Sequence, residues 1–541
     1  MSATRPRILV IGAGLGGTSA ALTALRLGAQ VTLVEETGWL GGQLTTQAVP
    51  PDEHAWIETP LVSPGYADLR NRIREHYRRA YPLGPISAAD PLLDPGLGVV
   101  SKICHEPRAA AAVLDELIAP WLAGGRLTVL RHWVPVSVSV DRDRVSSVVV
   151  RGAAGQEREL SADIVVDATE LGDVIALADA EHVIGAEGAD DTGELHAPPH
   201  ADPTDQQAIS WCFAMSHHPG EDHTVPEPAR YRHWRSHVSD FWPGPQLGWA
   251  DVDPISLQPR KLPLFTGDPP SDAPFSWWRF RRILAAEHYP AGTIDHDITL
   301  VNWPQIDYWE APLLGPGADP ARVEASAREL SLSFLHWMQT EAPRPDGGQG
   351  YPGLRLRADA VGSDDGLALR PYIRESRRAI TEFRVLEQHV GVQARGLGAG
   401  SEVFADSVGL GHYRIDLHPS TAGRTYVDIE SFPFQIPLGA LLPVRIDNLL
   451  PANKNIGTTH ITNGCYRLHP VEWSIGEAVG ALAVTAVERR VPPRAVRADE
   501  TLLAEYRSLL ATRLGLTLSW PEHIRRHSWR PGGERHDAAA S

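Results

Sequence analysis

The first 36 residues follow the order of apolar, glycine-rich and helical segments that is typical of a βαβ unit. The apolar run Arg7–Ile11 predicts a buried strand, and the segment Gly16–Leu27, rich in alanine and leucine, predicts a helix. Val31–Val34 predicts a second strand, which ends on two glutamates, Glu35 and Glu36. Two strands joined by a helix in this way indicate a parallel α/β domain.

A run of short strands follows a second predicted helix at residues 107–123. Apolar and polar residues alternate most clearly in Val136–Val140, and polar turns separate the segments. The predicted strands are Leu127–Leu130, Val134–Val140, Val145–Val150, Glu157–Leu160 and Ile164–Val166. Their close succession predicts an antiparallel β-meander inserted in the parallel domain.

The middle and the end of the chain differ from the first 190 residues in composition and in their pattern of predicted elements. Residues 191–429 are rich in aromatic residues, prolines and irregular stretches, with one clear helix near Pro320–Gln339, so we expect a second, mixed α+β domain that shapes a substrate pocket. Helices are also predicted at 474–489 and 498–513, and the tail after Arg530 is expected to be mobile. Residues 491–541 are therefore assigned to a C-terminal helical segment and tail.

The strongest motif lies between the first predicted strand and helix. Gly12, Gly14 and Gly17 form a GxGxxG pattern, in which the glycines allow a tight turn, a close approach to a diphosphate and close packing of helix on strand. Glu35 lies at the end of the second strand, where a carboxylate can accept hydrogen bonds from a ribose. An acid at this position favours FAD or NAD over NADP.

Two further segments favour FAD. The first begins at Gly41, soon after Glu35. Its two glycines, Gly41 and Gly42, and Thr45 can bring the backbone close to phosphate and flavin. The second is a strand end with small residues that can pack under the cofactor, followed by an acid that can reach a hydroxyl. The residues assigned to the cofactor here are Gly41, Gly42, Gln43, Thr45, Ala168, Thr169 and Asp173.

A third segment lies near the C-terminus. Residues 455–473 form a polar stretch that is predicted to be a loop and to lead into a helix with many small residues, including Gly476 and Glu477. The positive end of that helix, aimed at the flavin, would stabilise the negative charge of the reduced ring.

Together these segments resemble the FAD-dependent oxidoreductases of the glutathione-reductase and fumarate-reductase type. The most specific part is the stretch from Asn455 through Arg467 to the Gly-Glu-Ala-x-Gly sequence that begins at Gly476. The resemblance implies non-covalent FAD, with the diphosphate at Gly14 and Gly42 and the adenosine at Glu35. It also implies a discontinuous, Rossmann-like FAD-binding domain, which we assign to residues 1–60, 100–190 and 430–490. The sequence departs from the family at Glu170, where many flavoproteins have glycine.

Composition excludes several other classes. The 541 residues are 43% hydrophobic and 22% charged, as in ordinary globular proteins, and the net charge of −17 argues against nucleic acid as a partner. Three dispersed cysteines offer neither a disulfide framework nor a four-cysteine zinc site. No apolar run has the length of a membrane span, so we expect no membrane partner and a cytoplasmic location. No metal site is expected, although five histidines lie between 196 and 223. A homodimer is possible.

Five residues are candidates for catalysis. His54 follows the glycine-rich segment closely and is the first choice for a base; the alternative is a histidine that caps a turn. His460 and His469 flank the C-terminal segment and are candidates to face the flavin or the substrate. Arg467 can pair with reduced flavin or form a salt bridge with a nearby glutamate. Arg374 can clamp an anionic group of the substrate or form a surface or inter-domain ion pair with Glu375.

The leading functional interpretation is an FAD-dependent dehydrogenase or oxidase. It would move a hydride from an alcohol, amine or sugar-like carbon of a small polar metabolite to flavin N5, and reduced flavin would pass electrons to oxygen or another acceptor. The first alternative is a reductase or monooxygenase whose flavin is reduced by NAD(P)H. The second is a non-catalytic flavin-binding subunit or sensor.

Overall fold

The computed structural model describes residues 5–528, so the tail predicted to be mobile lies outside the described residues. The strands, numbered in chain order, are β1 Arg7–Ile11, β2 Gln30–Glu35, β3 Leu127–Arg131, β4 Trp133–Asp141, β5 Arg144–Gly152, β6 Glu157–Leu160, β7 Ile164–Asp167, β8 His182–Val183, β9 Ile209–Ser210, β10 Phe213–His217, β11 Ala250–Val252, β12 Pro259–Lys261, β13 Arg282–Leu284, β14 Ile298–Val301, β15 Asp307–Tyr308, β16 Leu354–Leu356, β17 Arg378–Ala379, β18 Ser407–Gly411, β19 Ile415–Leu417, β20 Val427–Ile429, β21 Phe434–Pro437 and β22 Leu449–Pro451.

The α-helices, numbered in the same way, are α1 Leu15–Arg26, α2 Pro64–Ala80, α3 Pro85–Ala89, α4 Pro107–Ala123, α5 Asp173–Leu177, α6 Ala189–Thr192, α7 Tyr231–Ser236, α8 Trp277–Phe280, α9 Pro320–Thr340, α10 Ala358–Val361, α11 Glu387–Val390, α12 Val392–Arg395, α13 His460–Tyr466, α14 His469–Arg489, α15 Pro493–Ala498, α16 Glu500–Thr512 and α17 Glu522–Arg525. Short 3₁₀ helices lie at Gly42–Leu44, Ala286–His288, Pro304–Ile306 and Leu438–Leu441.

The predicted parallel sheet is present and has the order β22-β7-β1-β2-β3. The antiparallel meander is present too, but it contains only β4, β5 and β6. The prediction that assigned the first and last of the five short segments to the meander was wrong, because β3 pairs in parallel with β2, and β7 pairs in parallel with β1. A parallel central sheet with α-helices around it gives the predicted mixed α/β, Rossmann-like architecture.

The region from 191 to 429 contains a second sheet, with the antiparallel order β13-β14-β10-β16. The long helix α9 has the bounds that the sequence indicated within one residue. Buried aromatic residues such as Trp277, Trp303 and Phe334 pack around this sheet and helix. The sheet and the helices of this region form the mixed α+β arrangement that was predicted here. The division of the chain into two domains stays a prediction.

Three helical features differ from the predictions. The 17-residue helix α2 was not predicted, although Ser63 caps it and Tyr66, Leu69, Ile73 and Tyr77 give it one buried face. The predicted polar loop at 455–473 contains α13, whose first turn is capped by the side chain of its N-cap residue, Thr459. The helix predicted from 474 begins at His469, because Pro470 is compatible with a first helical turn.

The last long helix, α14, crosses α1, the helix that follows the glycine-rich turn. A Cβ atom on Gly476 would lie 2.0 Å from the carbonyl oxygen of Gly16, and one on Gly480 would lie 2.3 Å from that of Ala20. The small residues of α14 therefore let the two helices touch through their backbones. This contact brings the C-terminal part of the chain to the beginning of the parallel sheet.

Candidate functional site

A cavity opens at the carboxyl ends of β1, β2 and β7, where open α/β sheets bind their ligands. The space between its walls, counted out to the open solvent, is about 740 Å³. We call it the cofactor cavity. It is lined by Ile11, Gly12, Ala13, Gly14, Val34, Glu35, Glu36, Gly42, Thr46, Gln47, Trp133, Val134, Pro135, Ala168, Thr169, Glu170, Leu171, Asp173, Arg370, Pro371 and Ile373.

The glycines of the cavity form a cradle for a diphosphate. Gly12 has a φ of +91°, and a Cβ atom on it would lie 2.2 Å from the carbonyl oxygen of Ala168. A Cβ atom on Gly42 would lie 2.8 Å from the Cα of Gly14. Side chains at these positions would fill the space at the start of α1, where backbone N–H groups favour a phosphate.

Glu35 lines the cavity at the end of β2, as predicted for a residue that binds the adenosine ribose. The N–H of Ala13 donates to Glu35 Oε2 at 3.0 Å, and the N–H of Thr37 donates to Oε1 at 2.8 Å. Burial raises the pKa of Glu35, and these hydrogen bonds oppose the shift. The carboxylate is thus fixed, and its remaining lone pairs are available to ribose hydroxyls.

The strand end at β7 supplies the neighbouring wall. Ala168, Thr169 and Asp173 all line the cavity. The hydroxyl of Thr169 donates to Asp167 and accepts from the N–H of Asp173, both at 2.7 Å, so the wall is rigid. Arg377 pairs with Asp173 at 3.1 Å.

Several predicted cofactor residues support the cavity rather than line it. Gln43 donates to the carbonyl of Arg467 at 3.0 Å, and Thr45 donates to that of Leu40 at 2.6 Å. Gly41 has a φ of +111°, and its N–H donates to Ala13 at 2.7 Å.

Three more predicted cofactor residues lie in packing positions. Gly17 lies against Gly12, since a Cβ atom on it would be 2.0 Å from the carbonyl oxygen of that residue. Gly476 is the crossing point of α14 and α1. Glu477 points to α2, where its Oε1 is 2.3 Å from the Cβ position of Gly65.

The cavity also contains residues that the sequence analysis missed. Trp133, Val134 and Pro135 form an apolar rim that suits an adenine ring. Gln47 is buried, and its Nε2 has no hydrogen-bond partner, so it offers a donor inside the cavity. Arg370 pairs with Glu36 at 3.2 Å. The glycine cradle, the acid at the end of β2, the apolar rim and the unpartnered amide fit FAD.

A second group of buried or half-buried polar side chains lies next to one wall of the cavity, to which it is joined through the chain at Ile373. The N–H of Asp52 donates to His469 Nδ1 at 3.2 Å, and Arg281 pairs with the Asp52 carboxylate at 3.1 Å. Arg467 donates to the hydroxyl of Tyr372 at 2.9 Å. Tyr372 adjoins Ile373, which lines the cavity. We call this group the inner polar cluster; its members are Asp52, Arg281, Tyr372, Tyr413, Arg467 and His469.

The charges of the cluster are set by burial. Burial lowers the pKa of His469 well below its ordinary value, with a further contribution from Arg281, so the ring is neutral at neutral pH. Burial also raises the pKa of Tyr372 and Tyr413, which keeps both phenols protonated. The Nε atoms of Arg281 and Arg467 are buried and have no hydrogen-bond partner. The cluster therefore has two unpaired guanidinium N–H groups that can donate hydrogen bonds to an oxygen-rich ligand.

Of the other catalytic candidates, Arg374 contacts this cluster, because its guanidinium lies over the ring of Tyr372, 4.9 Å from its centroid, whereas His54 and His460 contact other groups. His54 contacts Trp56, Trp520 and His412 in an aromatic group, and burial lowers its pKa to about 3. The structure thus brings Asp52, and not His54, into the inner polar cluster.

Two of the predicted residues belong to buried ion-pair networks. Arg374 pairs with Asp307 at 3.1 Å, and not with Glu375, which was the expected partner. His460 bonds to Glu375 at 2.9 Å. Arg467 pairs with Asp416 at 3.4 Å rather than with a glutamate of α14.

The histidine-rich stretch does not form one cluster. His196 pairs with Glu387 at 2.6 Å, and His200 pairs with Asp190 at 2.8 Å. His218 and His223 lie near Glu221, with the three possible ligand atoms within 4.8 Å of one another. Across residues 5–528, no helix combines the length and the apolar composition needed to cross a bilayer.

Comparison with known proteins gives the family. The sequence profile of a family described as FAD dependent oxidoreductase matches residues 7–509. No curated protein matches the chain significantly.

Solved structures give only distant similarities. A geranylgeranyl bacteriochlorophyll reductase-like protein from Thermoplasma acidophilum has 10% identity and a TM-score of 0.35, with 94% of this chain and 84% of that chain covered. An anhydrotetracycline hydroxylase from Streptomyces rimosus has 12% identity and a TM-score of 0.31, with 95% and 68% covered. A glycerol-3-phosphate dehydrogenase from Bacillus halodurans complexed with FAD has 15% identity and a TM-score of 0.22, with 40% of each chain covered.

The family profile spans the glycine turn, the strand end at β7 and all of α14, which are the segments that carried the predicted resemblance. The chain therefore belongs to the FAD dependent oxidoreductases, which confirms the predicted family, the enzyme class and the cofactor FAD.

Proposed function

We propose that the chain is an FAD-dependent dehydrogenase or oxidase that oxidises an alcohol, amine or sugar-like carbon of a small polar metabolite. The observation that carries the proposal is the inner polar cluster, which is connected to the cofactor cavity through Tyr372, the chain neighbour of Ile373. Fixed donors and ion pairs replace water around a polar substrate, whereas an apolar substrate would leave them unsatisfied. Bound FAD supplies the hydride acceptor.

The residues of the cluster have distinct roles in this proposal. The unpartnered Nε groups of Arg281 and Arg467 bind an oxygen-rich part of the substrate. Asp52, held by Arg281, accepts the hydrogen bond of the substrate O–H or N–H and takes its proton. His469 has partners for both ring nitrogens, Asp52 N–H and the carbonyl of Val49, so it is a positioning residue.

Anaerobic flavin-reduction screening tests the proposal. The purified protein is mixed with a panel of alcohols, amines and sugar acids, and separately with NADH and NADPH, while the flavin absorbance is recorded. We expect bleaching by a metabolite of the panel. Bleaching by NADH or NADPH alone would instead show the reductase or monooxygenase alternative, and partner binding without bleaching would show the non-catalytic one. Oxygen uptake then separates an oxidase from a dehydrogenase.

A variant tests the assigned proton acceptor. We expect Asp52→Asn to slow flavin reduction by the metabolite about 100-fold, the usual contribution of a general base. Asp68→Asn is the matched control, because Asp68 pairs with Arg72 at 2.8 Å on the surface of α2. Equal rates in Asp52→Asn and the unchanged protein would exclude Asp52 as the proton acceptor.

A further inference from the structure

Two carboxylates occupy the glycine cradle of the cofactor cavity. A Cβ atom on Gly14 would lie 3.0 Å from Glu472 Oε1 and 3.1 Å from Glu170 Oε1. The Glu472 oxygen accepts from the N–H of Gly16 at 3.0 Å, so it satisfies the start of α1 as a phosphate oxygen would. Glu170 Oε1 is buried and has no hydrogen-bond partner. Both groups thus lie where the fold provides for a diphosphate.

The surroundings are acidic for a site that takes an anionic cofactor. Glu35, Glu36 and Asp173 also line the cavity, and burial raises the pKa of all three. A diphosphate brings two more negative charges into a region where little water screens them. Either a cation at the cradle balances the negative charges of the diphosphate, or one of the carboxylates moves out of the cradle.

Lys454 places a cation at this point. It follows β22, and its side chain is only 3% exposed, although burying an ammonium is costly without a compensating partner. The ammonium pairs with Glu170 and lies 3.2 Å from Asn453 Oδ1. The cavity's arginine, Arg370, is already shared between Glu36 and Glu324. When Glu170 moves, the ammonium of Lys454 becomes available to pair with the diphosphate.

We propose that Lys454 binds the diphosphate of FAD, and that Glu170 pairs with this ammonium in place of the diphosphate until the cofactor binds. Glu170 then leaves the cradle, and phosphate oxygens take over its ion pair. The exchange replaces one counter-ion by another, so the buried ammonium is never unpaired. The same step frees the space over Gly14 and Gly42 that Glu170 Oε1 occupies. The proposal rests on FAD being the cofactor and assigns a residue for its charge.

Binding measurements on the full-length apoprotein test the proposal. FAD is removed, and the affinities for FAD, ADP and adenosine are measured by titration calorimetry. We expect Lys454→Met to weaken FAD and ADP binding at least about tenfold, the effect of losing a charge-assisted hydrogen bond, with adenosine binding unchanged. Glu170→Gln removes the competing charge and is expected to tighten ADP binding about threefold. Lys261→Met is the control, because Lys261 is an exposed lysine.

The outcomes separate the possible failures. Equal weakening of ADP and adenosine binding by Lys454→Met would show a structural defect and overturn the proposal, and so would unchanged ADP binding. Lys454→Arg keeps the charge, so it is expected to retain most of the affinity; loss of binding equal to that of Lys454→Met would contradict a charge effect. If the unchanged apoprotein bound neither FAD nor ADP, the cofactor assignment itself would fall.

Discussion

Replacement of Gly476 by alanine tests whether this residue acts through helix packing or through the cofactor. The sequence predicted a cofactor contact, whereas a Cβ atom at this position would lie 2.0 Å from the carbonyl oxygen of Gly16. That backbone oxygen cannot rotate away, so α1 and α14 must separate. Overpacking of this kind costs about 1–3 kcal/mol, and alanine recovers about 1 kcal/mol of helix propensity. A 2.0 Å approach to a fixed backbone atom belongs at the upper end of that range, so we expect Gly476→Ala to lower the free energy of unfolding by about 2 kcal/mol.

The decisive measurement is made on the apoprotein. Urea unfolding is followed by tryptophan fluorescence with and without FAD, and FAD affinity is measured in parallel. The control is Gly65→Ala in α2, where the nearest atoms to the Cβ atom would belong to side chains and not to the backbone: the movable carboxylate end of Glu477 at 2.3 Å and Trp473 Nε1 at 3.0 Å. We expect a smaller loss of stability there. An unchanged unfolding free energy of apo Gly476→Ala, together with weaker FAD binding, would refute the packing explanation.

Three further predictions concern the cofactor and the candidate base. Glu35→Arg removes the ribose acceptor and places a charge in the cavity, so we expect at least about tenfold weaker FAD binding, read as lower flavin content after purification; full flavin content would contradict the placement of the adenosine. Burial raises the pKa of Glu36 to about 7, and bound diphosphate raises it further, so the protonated form binds better. FAD affinity is therefore expected to fall from about pH 6 to about pH 8 in calorimetry. Glu36→Gln is expected to reduce this dependence without abolishing it, because burial also raises the pKa of Glu472, in the glycine cradle, to about 7. His54→Asn, which lies outside the inner polar cluster, is expected to leave the rate of flavin reduction unchanged in stopped-flow experiments.

The sequence was sufficient where neighbouring residues determine the structure. Strand β1, the Gly12 turn, α1 and β2 are contiguous, and their pattern of apolar residues and glycines has one common solution, a βαβ unit with Glu35 at its end. The same reasoning located Ala168 and Thr169, because a strand that ends in small residues is a local signal. These residues all line the cofactor cavity.

The sequence was insufficient where the partner of a segment is distant. Strand β3 mixes apolar and polar residues, as the meander strands do. Only its pairing with Val31–Glu35 places it in the parallel sheet. Helix α2 carried a capping serine and a regular apolar face, so its signal was present but unused. Lys454 shows the harder case, because nothing near it in the sequence indicates Glu170, its partner 284 residues away.

The inner polar cluster shows why the catalytic residues were the least predictable part. Arg281 and Arg374 are both buried arginines paired with an aspartate, and Arg374 also lies over the ring of Tyr372, 4.9 Å from its centroid, yet only Arg281 pairs with Asp52. Residue type and local pattern do not distinguish the two arginines. They are distinguished by the tertiary structure, which brings the segments around residues 52, 281 and 467 together. Such a meeting depends on α14 touching α1 through Gly476, since that contact carries Arg467 and His469 to the glycine-rich turn. The packing glycine and the chemistry are therefore coupled, and a change at the first is expected to displace the second.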